Sequence, residues 1–109
     1  MVKVITPTAR DAARALGAQV TAGRRSRRWS AARLAEQAGI SVRTLRKVEL
    51  GDPSVALGTA LDVAVLVGVP LFTPRPAELA LLADSLVDRA SLLGDRVVPV
   101  SDEGLDDDF

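Results

Sequence analysis

The amino-acid sequence predicts an all-α domain of five helices, in which two short helices are joined by a very tight turn. Apolar residues recur at helical spacing in five stretches of the chain. Ser, Thr or Pro precedes most of these stretches and Gly follows several of them, as is typical of helix ends. With 109 residues, the chain has the length of one small domain with a modest core. Residues 2–5, VKVI, contain three β-branched residues and could add a short N-terminal strand.

The first predicted helix begins at a capping box, in which the cap Thr8 is followed three residues later by Asp11. Leu16 and Val20 follow at helical spacing, so we expect the helix to run to about Arg27. Two glycines inside this stretch lower its helical propensity. The first helix is thus predicted to be long, with two weak points in its interior.

Two short helices and a tight turn follow. Ser30 can cap the second helix, which is barely two turns long, and Gly39 can close it in a left-handed conformation. Ser41, two residues later, can cap a third helix that ends at Gly51. Two helices joined in this way have the outline of a helix-turn-helix domain.

The second half of the chain contains two more predicted helices and a tail. A fourth helix from Leu57 to Gly68 is apolar nearly all round, so we expect it to be central. A fifth helix begins at Pro76, which suits the N1 position, and ends before Gly94. The remaining residues have no sustained period and are expected to form a flexible acidic tail. The predicted parts are an N-terminal arm at 1–7, a helix-turn-helix domain at 8–73, a C-terminal helix at 74–94 and the tail at 95–109.

The formal net charge of zero conceals a strong asymmetry between the two halves of the chain. Residues 1–50 contain 11 Lys and Arg against 3 acids, a balance of +8. Residues 51–109 contain 3 Arg against 11 acids, a balance of −8. Such asymmetry indicates a basic surface for a polyanion and an acidic portion with a different role.

The composition also argues against several classes of function. Without Cys or His, the chain lacks thiolate ligands, the commonest metal ligand and the commonest general base, so we expect no metal and no cofactor. Tyr and a phosphate-cradling Gly-rich loop are absent as well, which leaves an enzyme little support. Because the chain has neither a membrane-spanning apolar stretch nor a signal-peptide core, we expect a cytoplasmic protein.

One face of the third helix carries residues suited to reading bases. At about 100° per residue, an arc of roughly 140° contains four of them, and these are Val42, Arg43, Arg46 and Lys47. Leu45 and Val48 lie on the opposite side and are expected in the core. Arg can bind guanine through two hydrogen bonds, and Val can pack on a thymine methyl. The alternative is that these cations are the solvated face of an ordinary helix.

Other residues near this helix suit the phosphate backbone of DNA. Ser30, Ser41 and Thr44, with the amides at the helix starts, could bind phosphate oxygens and set the docking register. Arg27 and Arg28 lie at the end of the first helix. For these two arginines, phosphate contact and capping of the helix C-terminus are equally supported.

Residues 16–69, with LAEQAGIS followed by TLRKVELG, resemble the Xre or phage-repressor family of helix-turn-helix proteins. This resemblance implies a repressor-like fold in which the third helix is the recognition helix. It places Val42, Arg43 and Lys47 at the base-reading positions of the family. The implied partner is double-stranded DNA, with a palindromic operator bound by a homodimer.

The same resemblance implies an ion pair and shows some departures from the family pattern. Arg24 and Glu49 stand where the family often ties its first helix to the recognition helix. Ala31 stands where the family commonly has a phosphate-binding Gln, and Arg33 stands where it favours an acid. Arg33 is therefore expected to take over part of the phosphate contact. Arg28 replaces a frequent Gly.

The acidic half has features of a surface for partner proteins. Apolar residues form a stripe on the fifth helix, among them Leu79, Leu82 and Leu86. This stripe either completes the core of the monomer or marks an oligomer surface, and we favour a dimer that uses the fifth helix or residues 69–82. Phe109 ends the acidic tail and could be an aromatic anchor that orders on a partner.

A narrower resemblance combines the N-terminal VITPTARD, the segment GDPSVALGTALDVAVLVGV and the ending DDDF. Together these are similar to HipB-like antitoxins, which are encoded with HipA-like kinase toxins. The resemblance implies an antitoxin that represses its own operon and binds a HipA-like Ser/Thr kinase. The alternatives are a stand-alone Xre-type regulator and a protein-interaction module without DNA binding.

Overall fold

The computed structural model describes residues 4–94 of the chain. The five α-helices are α1 (Pro7–Ser26), α2 (Ala31–Ala38), α3 (Val42–Leu50), α4 (Leu57–Leu66) and α5 (Leu79–Leu93). Within this range there is no strand, and β-pairing is confined to an isolated bridge between Leu71 and Thr73. The predicted all-α class with five helices is therefore confirmed. Val4 and Ile5 belong to no strand, and residues 2 and 3 of the predicted strand lie outside the described range.

The start of α1 differs from the prediction. Its cap is Thr6, whose Oγ1 accepts a hydrogen bond from the amide of Ala9 at 3.1 Å, and Pro7 occupies the first helical position. Because Pro has a fixed helical φ and no N–H to satisfy, it favours a helix start at its own position. The capping box predicted at Thr8 is thus wrong by two residues. The end of α1 at Ser26 lies within one residue of the expected Arg27.

The two short helices have the predicted caps and the predicted turn. The hydroxyl oxygens of Ser30 and Ser41 accept hydrogen bonds from the amides three residues later, both at 3.0 Å. Gly39 ends α2 with a φ of 71°, and Gly51 ends α3 with a φ of 78°. Since only a left-handed residue closes a helix this tightly, glycine at both positions fixes the angle at which the chain leaves.

The core is formed by residues from α1 to α4 and the segment after α4. It contains nine buried apolar residues, which are Val20, Leu34, Ala35, Leu45, Val48, Val63, Ala64, Val67 and Val69. The expectation that α4 is central holds for one face of the helix, where Val63 and Ala64 are buried. It is wrong for the other face, because Leu57 and Val65 are 73% and 56% exposed.

Close packing of α1 on the end of α3 depends on Gly17. A Cβ atom added there would collide with the backbone carbonyl oxygens of Val48 and Glu49. A glycine that lowers helical propensity in α1 therefore allows the backbones of α1 and α3 to approach closely. This contact directs one side of α3 toward the core and leaves its other side exposed.

The chain divides into two compact units after Pro76, and the second unit contains α5. A single 3₁₀ turn at Pro76–Glu78 precedes this helix, so the α-helix begins three residues later than predicted. No side chain of α5 is buried, and Leu86 is 47% exposed. The predicted tail at 95–109, with Phe109, lies outside the described residues.

Candidate nucleic-acid interface

The two sides of α3 have opposite character. On the inner side, Leu45 is fully buried and Val48 is 4% exposed. The exposed side carries the four residues that the helical spacing placed on one face, which are Val42, Arg43, Arg46 and Lys47. Because the Ser41 cap sets the start of the helix, it also sets the rotation at which these side chains emerge.

An ion pair joins α1 to α3. The Nε of Arg24 donates to Oε2 of Glu49 at 2.8 Å, and a terminal guanidinium nitrogen donates to Oε1 at 3.2 Å. Both side chains are only 13% exposed. The Glu49 hydrogen bond raises the pKa of Arg24 above its ordinary value, against the opposing effect of burial. The structure thus brings together the two residues that the family resemblance implied, and their geometry is bidentate.

Arg24 has a further contact that the sequence did not indicate. Its Nη1 donates to the carbonyl oxygen of Trp29 at 3.1 Å. One guanidinium therefore connects α3 to the segment between α1 and α2. Since that segment leads into the Ser30 cap, the contact positions the start of α2 relative to α3.

The serine caps lie at the N-termini of α2 and α3, where we predicted phosphate contacts. The hydroxyl of Ser41 accepts from the Thr44 amide and donates to the Thr44 hydroxyl oxygen, each at 3.0 Å. The hydroxyl of Ser30 accepts from the Arg33 amide. Both serine hydroxyls thus accept capping hydrogen bonds, and the Thr44 hydroxyl, which accepts from Ser41, keeps its own proton for another acceptor.

The side chain of Arg33 lies over the ring of Trp29, with its guanidinium carbon 4.7 Å from the ring centroid. Trp29 is itself partly buried and packs against the core. The stack fixes a cation on the surface of α2, near the Ser30 cap. Sequence reasoning missed this contact, although an aromatic residue followed four positions later by Arg could have indicated it.

Arg27 and Arg28 have different surroundings at the end of α1. The Nη1 of Arg27 donates to the carbonyl oxygens of Val67 at 2.7 Å and Gly23 at 3.4 Å. Val67 is the C-terminal cap of α4, so Arg27 caps that helix, and its contact with the end of α1, where capping was predicted, is limited to the longer bond to Gly23. Arg28 is exposed and has a φ of 58°. A glycine would adopt this left-handed conformation at lower cost than Arg28 does.

The loop between α3 and α4 is stabilised by Asp52. Its carboxylate accepts hydrogen bonds from the amide of Ser54 at 2.8 Å and from the Ser54 hydroxyl at 2.7 Å. These bonds, with a smaller contribution from the charge of Lys47, lower the pKa of Asp52 below its ordinary value of 3.8. The loop that follows α3 therefore has a defined conformation.

Residues 4–94 lack the features of a metal site and of a membrane-spanning helix. No group of three or more His, Cys, Asp or Glu side chains is arranged there to bind a metal ion. No helix in this range has both the length and the apolar character to cross a membrane.

The two capped short helices, the glycine turn and the exposed cationic side of α3 define a helix-turn-helix domain, the kind of domain found in DNA-binding regulators. Residues 20–73 match the model of the protein family described as helix-turn-helix. The matched segment begins within α1 and includes α2, α3 and α4. No curated protein and no solved structure matches the chain.

Proposed function

We propose that the chain is a sequence-specific DNA-binding repressor whose recognition helix is α3. The observation that supports this most is the two-sided character of α3. Leu45 and Val48 are buried, while the opposite side presents Val42 together with three cations, Arg43, Arg46 and Lys47. In a helix-turn-helix domain, the second helix of the motif enters the major groove and the first crosses the backbone.

Each exposed residue has a role in this proposal. Val42, Arg43 and Lys47 read base edges, because they combine an apolar contact for thymine with donors for guanine. Arg46 binds phosphate from the same helix. Additional phosphate contacts come from the two helix starts and the arginines beside them, namely Ser30, Ser41, Thr44, Arg28 and Arg33. Arg24 and Glu49 bind no DNA but keep α3 in place.

The proposed binding unit is a homodimer on a palindromic operator. Two copies of α3 must then lie about 34 Å apart, which is one turn of the duplex. The apolar residues of α5 support this dimer, since Leu86 is 47% exposed and Leu81 is 74% exposed. Leu79 and Leu82, which are half-buried, belong to the same helix.

The narrower proposal is an antitoxin that represses its own operon and binds a HipA-like Ser/Thr kinase. It rests on the resemblance of VITPTARD, GDPSVALGTALDVAVLVGV and DDDF to HipB-like antitoxins. Phe109, outside the described residues, is the proposed anchor for that kinase. A stand-alone regulator and an interaction module without DNA binding are the alternatives.

Selection from a pool of random duplexes tests the DNA-binding function without knowledge of the operator. Each duplex should be longer than about 20 base pairs, so that two half-sites fit. We expect the full chain to enrich a palindromic sequence and to retard it at low salt, with affinity that falls steeply as salt rises. The variant with Arg43, Arg46 and Lys47 changed to Ala should enrich nothing. Failure of the unmodified chain to retard any duplex at low salt contradicts the proposal.

Co-expression tests the antitoxin function separately. If the gene beside this one encodes a kinase-like protein, the two proteins should co-purify, and truncation before residue 95 should weaken the complex. A kinase complex without any DNA retardation selects the interaction module. DNA retardation without a kinase partner selects the stand-alone regulator.

A further inference from the structure

A second group of cations lies beside the C-terminal end of α3. Arg10 and Arg14 from α1 and Lys47 from α3 line one groove of about 400 Å³. Residues 50–53, where α3 passes into the following loop, form the rest of its lining. Neither Arg10 nor Arg14 belongs to the residues matched by the helix-turn-helix family, which begin at residue 20. The N-terminal half of α1 therefore adds a basic feature of its own.

This groove is continuous with the exposed side of α3. Arg43, Lys47 and Leu50 follow each other at spacings of four and three residues, so they lie on one stripe along the helix. Lys47 and Leu50 line the groove, which places it at the C-terminal end of that stripe. A duplex that occupies the stripe therefore extends toward Arg10 and Arg14.

The dimensions of α3 match those of the major groove. A helix of nine residues is about 13 Å long, and the major groove is about 12 Å wide. If the Ser41 end of α3 lies beside the phosphates of one strand, its other end lies near the phosphates of the opposite strand. The groove that contains Arg10 and Arg14 is at that other end.

The charges of the groove favour an anion. The lining of the groove contains three cations and one carboxylate, that of Asp52. This carboxylate already accepts hydrogen bonds from the amide and the hydroxyl of Ser54. Arg14 also has an ion pair with Asp11 at 3.3 Å, but both side chains are about 70% exposed, at 69% and 72%. Because such an exposed pair is weak, a phosphate can compete for the guanidinium.

We propose that Arg10 and Arg14 bind backbone phosphates of the strand opposite to the one contacted by the starts of α2 and α3. This inference rests on the proposed DNA-binding function and adds a phosphate-binding site outside the helix-turn-helix segment. It assigns the N-terminal half of α1 a role in affinity and none in the choice of sequence, because phosphates carry no base information.

The experiment measures binding of the full chain to two labelled duplexes across a salt series. One duplex is the sequence enriched from the random pool, and the other is a scrambled duplex of the same composition. We expect R10A and R14A each to weaken binding to both duplexes by the same factor, leaving their affinity ratio unchanged. Each should also reduce the slope of log affinity against log salt by about 0.9, which corresponds to the loss of one phosphate contact.

R89A is the matched control, since Arg89 is an exposed helical arginine on α5 that should leave the slope unchanged. Alanine keeps the helical propensity of α1, and the circular dichroism of each variant verifies its fold. If the salt slopes of R10A and R14A equal that of R89A, the inference is overturned, and the proposed DNA binding is unaffected. If the unmodified chain binds neither duplex at low salt, the proposed function fails first.

Hydroxyl-radical footprinting gives a second, positional readout. Sugars at one edge of the protected region should lose protection in the double variant of Arg10 and Arg14, while the centre of the footprint remains. An unchanged footprint in the double variant overturns the inference.

Discussion

Arg24 and Glu49, 25 positions apart in the chain, form a bidentate ion pair in which each side chain is only 13% exposed. The pair joins the last part of α1 to the last turn of α3. On the same helix, Lys47 lies two residues before Glu49 and is exposed. The orientation of the exposed side of α3 thus depends on the ion pair that Glu49, on the same helix, forms with Arg24 of α1.

Changing Glu49 to Ala should destabilise the domain strongly. The substitution leaves the Arg24 guanidinium largely buried without its counter-charge, and such losses cost about 3 kcal/mol or more. The free energy of unfolding, measured by urea denaturation, gives the result. D11N is the matched control, because it breaks the exposed pair with Arg14 and should cost less than about 1 kcal/mol. Equal losses for the two variants would show that the Arg24 pair is no more than a surface contact.

Changing Gly17 to Ala should separate α1 from α3. The added Cβ would collide with the backbone carbonyl oxygens of Val48 and Glu49, which cannot rotate away as a side chain could. We expect a loss of about 1–3 kcal/mol in the free energy of unfolding, typical of overpacking. DNA affinity should fall as well, since α3 is displaced.

Gly58 offers the control for that substitution, because a Cβ added there meets no atom within 4 Å. G58A should leave the domain unchanged or stabilise it by up to about 1 kcal/mol, since Ala favours the helix. A G17A variant as stable as G58A would contradict the close approach of the two backbones.

Local patterns were sufficient to predict the short helices. Ser30, Gly39 and Ser41 act on backbone groups only three or four residues away, so their roles can be inferred from spacing alone. The error at the start of α1 arose where two threonines competed as caps. Thr6 is the cap because Pro7, which follows it, fits the first helical position.

Features that depend on how the helices pack could not be predicted in this way. The hydrogen bond from Arg27 to the carbonyl oxygen of Val67 spans 40 positions. Likewise, the apolar residues Leu57 and Val65 are exposed because α4 presents only one side to the core. For the candidate interface, periodicity located the exposed side of α3, but the approach of Arg10 and Arg14 to Lys47 required the packed structure.

The stability of the α3–α4 loop should depend on pH through Asp52. Its pKa is lowered in the folded state, chiefly by the Ser54 amide. A depressed pKa contributes stability that is fully present above the unfolded value and is lost as pH falls through the folded value. D52N should therefore be less stable than the unmodified chain near neutral pH, and this difference should disappear at strongly acidic pH.

Thermal unfolding of both proteins over a pH series from neutral to about pH 2 measures this difference. S54A removes one of the two hydrogen bonds and should show a smaller loss with the same pH dependence. A difference between D52N and the unmodified chain that persists below the folded pKa would show that the effect is not due to ionisation.

Changing Arg43 to Ala should relax the sequence preference of the proposed DNA complex. Arg43 lies on the first turn of α3, exposed and one residue after Val42, where its guanidinium can bind two acceptors of guanine. Loss of such a contact costs about 1–3 kcal/mol, or roughly 5- to 150-fold in affinity for the enriched duplex. Binding to the scrambled duplex should fall much less.

Arg46 provides the comparison within the same helix, since it is also exposed but is proposed to bind phosphate. R46A should weaken binding to the enriched and scrambled duplexes by similar factors and reduce the salt slope by about 0.9. Repeating the duplex selection with R43A should give a motif in which one base position per half-site has become degenerate. If R43A instead retains the full motif and behaves like R46A, then Arg43 binds phosphate and another residue of α3 reads that base.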